Sequence, residues 1–107
     1  MSLEYELGRR GDVVLIRLSG RIDRDAGTTL DSAYAAASIS KPPAVELDFA
    51  GVDYINSTGI ALIVTVLAKA RAERRTIRAL GLSPHYQHIF EITRLSDFIE
   101  IVQPITQ

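Results

Sequence analysis

Apolar residues recur along this chain with two different periods. Val13 to Leu18 is a β-rich run ending at Ser19-Gly20, and a weaker strand, Leu3 to Leu7, precedes it across the turn Arg10-Gly11-Asp12. Together they predict a hairpin. The period then lengthens. Ala26, Leu30, Ala33, Tyr34 and Ala37 share one face of a helix expected from about Asp25 to Ser38. Pro42-Pro43 stops that helix and forces an extended entry into the next element. There Val45, Leu47 and Phe49 alternate with Glu46 and Asp48, the pattern of a half-buried strand.

A second helix is expected from about Ser57 to Arg74, with Ile60, Ile63, Val64, Leu67 and Ala70 as its core stripe. Thr76 to Leu82 reads as the next strand. Ser83 suits the N-cap of a third helix and Pro84 its first turn. Tyr86, Ile89, Phe90 and Thr93 lie on one face of that helix, and Phe98 to Val102 makes a last short strand. The order β β α β α β α β predicts parallel pairing through right-handed crossovers. The fold class is therefore α/β, a small mixed β-sheet with its helices packed mainly on one face. Residues 1–107 read as one domain, without internal repeat or linker.

Composition narrows the function classes. The chain carries 12 Lys+Arg against 13 Asp+Glu, for a net charge of −1. Such balance gives no field to draw nucleic acid or an anionic membrane. The clusters Arg9–Arg10 and Arg71, Arg74, Arg75 and Arg78 read as solvated, favourable cations near a helix end. No cysteine is present, which removes disulfides and thiolate metal sites and suits a reducing cytosol. The longest apolar stretch, Gly59 to Val64, falls far short of the roughly 20 residues of a membrane span. The polar start Met1-Ser2-Leu3-Glu4 lacks an apolar signal region. His85 and His88, three residues apart, could share a metal, but no third ligand accompanies them; they read as two partly exposed histidines. No Gly-x-Ser-x-Gly elbow and no phosphate-binding glycine loop occurs. A non-enzymatic, cofactor-free domain is expected.

Leu47-Asp48-Phe49-Ala50-Gly51-Val52-Asp53-Tyr54-Ile55-Asn56-Ser57-Thr58-Gly59-Ile60 is the most informative stretch. A strand ends, a short loop follows, and a polar cluster opens a helix. Asn56 suits the N-cap, which puts Ser57 at the first helical position beside unpaired amides and the positive end of the helix dipole. A phosphate can be held there. Gly59 stands in the first turn against helix propensity, which suggests a close approach by the rest of the protein or by a docking partner. Leu62 and Val66 fall away from the core stripe, near Thr58, Thr65 and Lys69. Apolar residues bounding a polar site suit a docking patch.

This stretch resembles the signature of the STAS family, the sulfate transporter and anti-sigma factor antagonist domains. Its members show a Leu-Asp-aliphatic strand, a short loop, then aliphatic-Asp/Asn-Ser-Ser/Thr-Gly opening a helix. Leu18-Ser19-Gly20-Arg21-Ile22-Asp23 resembles the family's Leu-x-Gly-x-Leu/Ile-Asp, and Gly81-Leu82-Ser83-Pro84 with Ile89-Phe90 resembles its later strand-to-helix region. The likeness spans essentially the whole chain. It implies an anti-sigma factor antagonist that binds an anti-sigma factor serine kinase and is switched off by phosphorylation of Ser57, with a serine phosphatase as a further partner. It makes Asp23 and Asn56 neighbours of that serine and Thr58 the second hydroxyl of the motif. The family also implies a rival role, a scaffold or transport-complex subunit without such a switch. Two departures stand out: Asn56 replaces the Asp of many antagonists, and Thr93-Arg94-Leu95 replaces a turn that often carries Gly. Arg94 is ill suited to a left-handed conformation, so that turn is expected to differ.

Overall fold

The computed structural model describes residues 2–102. Its elements run β1 (Glu4–Arg10), β2 (Val13–Ile22), a 3-10 turn (Arg24–Ala26), α1 (Gly27–Ser38), β3 (Ala44–Ile55), α2 (Ser57–Ala72), β4 (Thr76–Leu80), α3 (Pro84–Ile92), a second 3-10 turn (Leu95–Asp97) and β5 (Glu100–Ile101). The five strands form one sheet in the order β1-β2-β3-β4-β5. β1 and β2 are antiparallel and the other pairs parallel. Right-handed crossovers that step across a sheet in one direction leave their helices on one side. The mixed α/β sheet is the one the alternating periods predicted.

The pleat sorts the residues. Val14, Ile16 and Leu18 of β2, Val45, Leu47 and Phe49 of β3, and Ile77 and Ala79 of β4 are buried on the covered face. They pack against Leu30, Ala33 and Tyr34 of α1, Ile63, Val66 and Leu67 of α2, and Phe90 of α3. Phe49 meets Phe90 edge to face with ring centroids 5.8 Å apart. The opposite face is charged. Register aligns Glu46, Arg78 and Glu100 in one row and Glu6, Arg17 and Asp48 in the next. Glu46 is only 3% exposed, yet it is paired with Arg10 and with Arg78 at 3.6 Å. Arg78 in turn donates to Glu100 at 2.8 Å.

Four expectations change. β3 does not end at Phe49 but stays paired with β2 to Ile55, through register shifts between Arg17 and Ser19 and between Gly20 and Arg21. Each shift puts an extra residue into β3, the signature of a bulge. A Cβ on Gly51 would come 2.9 Å from the Leu18 carbonyl oxygen, so the glycine that reads as a loop signal instead permits close strand approach. Second, the buried stripe of α2 is Gly59, Ile63, Val66, Leu67 and Ala70, while Val64 is 45% exposed. Apolar residues nearly encircle α2, so the pattern alone fits two orientations. Third, β5 shrinks to Glu100–Ile101 and Phe98 is exposed. Fourth, Arg94 adopts the left-handed conformation at φ 66°, so the turn keeps the geometry that favours glycine. The Arg94 Nε donates to Asp97 at 2.9 Å.

The arginine cluster is not simply a solvated helix end. The Arg75 side chain is 8% exposed. It donates to the Pro42 carbonyl at 2.8 Å, the Tyr34 hydroxyl at 2.8 Å and Ser38 Oγ at 3.2 Å, and it pairs with Glu73. The Tyr34 hydroxyl donates to Glu73 at 2.7 Å. This clamp ties α1, the end of α2 and the entry to β3 together.

Candidate functional site

The site lies at the C-terminal ends of β2 and β3, where open parallel sheets present ligand-binding loops. Ile22 and Ile55 are register partners and both are buried. The next residues, Asp23 and Asn56, therefore leave adjacent strand ends together. The Asn56 amide donates to the Ile22 carbonyl at 3.3 Å. Its side-chain oxygen accepts from the Gly59 amide at 2.8 Å, the N-cap expected from sequence. Ser57 and Thr58 follow as the first helical residues of α2, and both are exposed. With Asn56 and Gly59 bonded, the amides of Ser57 and Thr58 are the first-turn donors that intrahelical bonding leaves over. An oxyanion on Ser57 would meet those donors and the helix dipole.

Gly59 is buried against the same strand end. A Cβ there would fall well inside van der Waals distance of the Ile22 carbonyl oxygen. The close approach is thus made by the protein itself, and Gly59 offers a partner no surface. Val66, placed in the docking patch by sequence, is 3% exposed and belongs to the core. Leu62 is half-buried, packed on the core, and faces Gly27 at the start of α1. The outward apolar residue of α2 is Val64, beside the exposed Ala61, Thr65 and Ala68.

Asp23 caps the first 3-10 turn. Its Oδ1 accepts from the Asp25 amide at 3.0 Å, and its Oδ2 lies 3.6 Å from Arg21. Its charge is therefore shared, whereas Asp53 is exposed. The Arg21 guanidinium also stacks on Tyr54, 4.1 Å from the ring centroid. Tyr86 of α3 supplies a support that sequence reading passed over. Its hydroxyl accepts from the Ile55 amide at 2.9 Å, because β4 stops at Leu80 and leaves that amide without a strand partner. Tyr86 stood out in the sequence only as a helix-face residue; a hydroxyl reaching a distant strand end has no local signature.

Fold and site define an α/β protein with an exposed hydroxyl pair opening a helix at the end of its parallel strands. The chain belongs to the STAS domain family: a family model described as "Mlab, STAS domain" matches residues 6–103. It is 29% identical over 102 residues to an anti-sigma-B factor antagonist of Listeria monocytogenes, covering 94% of this chain and 90% of that protein. Its fold is similar to an anti-sigma factor antagonist from Mycobacterium paratuberculosis, with a TM-score of 0.77 at 20% identity over 96% of this chain and 87% of the other. It is also similar to the Bacillus cell fate determinant SpoIIAA in its phosphorylated form, with a TM-score of 0.68 at 19% identity over 94% and 92% of the two chains. No helix among the described residues is long and apolar enough to cross a membrane.

Proposed function

We propose that this protein is an anti-sigma factor antagonist, a non-enzymatic cytoplasmic switch that binds an anti-sigma factor serine kinase until Ser57 is phosphorylated. The observation that carries the reading is Ser57 itself: exposed, at the first position of α2, in a first turn whose amides have no intrahelical acceptor. The relatives named as antagonists support it. A kinase reaches the hydroxyl without unfolding anything. The product phosphate, about −1.5 to −2 charges at pH 7, is tolerated by the helix terminus that carries it.

The penalty falls on the complex. A partner docked over Asn56, Ser57 and Thr58, with Asp23 at the rim, would have to desolvate a dianion. A loss of about 3 kcal/mol weakens binding roughly 100-fold. A serine phosphatase restores the binding form.

The test is phosphorylation of the purified protein by its cognate anti-sigma kinase, phosphopeptide mapping, and calorimetric titration of both forms with that kinase. Label is expected on Ser57. Ser57→Ala should take no label and bind constitutively; Ser57→Asp should bind poorly while its stability stays within about 0.5 kcal/mol of wild type. Label on Thr58 would move the site. Tight binding by the Ser57-phosphorylated form would overturn the switch and leave the scaffold or transport-complex role.

A further inference from the structure

The two edges of the sheet are unlike. β5, at one edge, has only Glu100 and Ile101, and a very short strand is one way a fold blunts an edge that could pair with another chain. β1, at the other edge, has seven residues, Glu4-Tyr5-Glu6-Leu7-Gly8-Arg9-Arg10, without proline. Among the described residues its bonds run to β2 on one side only.

The residues of β1 complement a reversed copy of themselves. Acids occupy the first half, Glu4 and Glu6; bases occupy the end, Arg9 and Arg10; Leu7 is the midpoint. Antiparallel pairing about Leu7 sets Glu4 against Arg10 of the second copy, Tyr5 against Arg9, Glu6 against Gly8, and Leu7 against Leu7. Opposite charges and an aromatic beside a guanidinium are favourable cross-strand neighbours. A shift that centres the pairing on Glu6 opposes like charges, and one centred on Gly8 leaves part of the strand unpaired. A one-residue slip would turn one copy over and oppose Leu7 with a residue of the charged face.

The covered side offers a seat for that partner. The register pairs of Tyr5, Leu7 and Arg9 are the buried Leu18, Ile16 and Val14. Leu7 nevertheless stays 41% exposed, and Ile39 just beyond α1 is 82% exposed. Between them runs a groove of about 380 Å³ lined by Leu7, Arg9, Val14, Ala37 and Ile39. Tyr5 of a second copy, opposite Arg9, would enter it.

We propose that β1 is a self-pairing edge through which two copies form a two-fold dimer with one continuous sheet, helices on the same side. The chain lacks cysteine, so a single introduced thiol reports the register cleanly. Leu7→Cys places two thiols on the two-fold axis, at the 4.5–5.5 Å Cα separation of facing antiparallel residues, which a disulfide spans. Tyr5→Cys places its two thiols roughly 13 Å apart along the strands.

Sedimentation of the wild-type protein should give twice the chain mass. Mild oxidation should convert most Leu7→Cys to a covalent dimer and leave Tyr5→Cys uncrosslinked. Leu7→Asp should sediment as a monomer with wild-type circular dichroism. A wild-type monomer, equal cross-linking of the two cysteine variants, or a Leu7→Asp dimer would overturn the proposal. Should Leu7→Asp fail to fold, the cysteine pair decides alone.

Discussion

The two ends of the parallel strands are built on opposite rules. At their N-terminal ends, Arg75 is almost wholly buried and bonds to Pro42, Tyr34, Ser38 and Glu73. At their C-terminal ends, Ser57 and Thr58 are exposed, and the helix start is held by one side-chain cap, one Tyr86 hydroxyl and the fit of a glycine. One end spends its polar groups on the fold. The other leaves hydroxyls and amides unspent, and those groups can serve a modifying enzyme or a partner. A charged group added at the open end changes binding, whereas one removed from the clamp changes stability.

The sharpest way to break this contrast is Gly59→Ala. The added Cβ collides with the Ile22 carbonyl, which as backbone cannot swing away, so α2 must lift from β2. A loss of about 3 kcal/mol is expected, equivalent to roughly 15 °C in melting temperature for a domain of this size. Thermal denaturation measures it, and a loss under about 1 kcal/mol would show that the open end is looser than its geometry indicates.

Arg75→Met should follow closely, at about 2–3 kcal/mol, because it strands the Pro42 carbonyl and the Tyr34 hydroxyl away from their donor. The same variant should bind the anti-sigma partner as wild type does at a temperature where it is folded. Weakened affinity would mean that the two ends are coupled.

Tyr86→Phe removes the only acceptor of the Ile55 amide among the described residues. Urea unfolding should show a loss of about 1 kcal/mol. If Tyr86 also positions the site, the variant will be phosphorylated more slowly on Ser57 at a temperature where it is folded; an unchanged rate would confine its role to stability.

The smallest effect concerns pH. The Glu73 carboxyl is held below the usual carboxylate range, chiefly by the bond from the Tyr34 hydroxyl, with Arg75 adding to it. Tyr34 is pushed up by burial and by that same bond. A carboxyl depressed on folding stabilises above its unfolded value, and that part is lost as pH falls through the folded one. Glu73→Gln should therefore flatten the acid limb of the stability curve and leave phosphorylation of Ser57 unchanged. An acid limb as steep as wild type would place the titrating group elsewhere.

Local rules were legible in the sequence. Asn56 and Ser83 cap their helices as their residue types dictate, and Pro84 sits at the first turn of α3. The alternation of Val45, Leu47 and Phe49 correctly assigned a face. What escaped was tertiary. Val64 and Val66 are equally apolar, and only the packing of α2 against α1 and β4 decides that Val66 goes inside. Ala50 to Asp53 carries turn-like residues, yet the neighbouring β2 backbone holds it in the ladder. Arg75 reads like Arg71 and Arg74 until Tyr34 and Pro42, more than 30 positions earlier, fold over it. Such partners lie at sequence separations where no periodic pattern connects them.

The paired bulges of β3 carry an arithmetic consequence. Between the partners Val14↔Val45 and Ile22↔Ile55, β2 advances by eight residues and β3 by ten. The surplus of two is split, one residue to each bulge: Phe49 and Ala50 together oppose Leu18, and Asp53 falls between the partners of Gly20 and Arg21. Without Ala50, Phe49 would oppose Leu18 alone and Gly51 would still face Ser19, so Ile55 would stay level with Ile22. The surplus is slack in the strand that carries the serine, and the height at which this fold displays Ser57 is fixed by the end of β2, not by the number of residues beneath it.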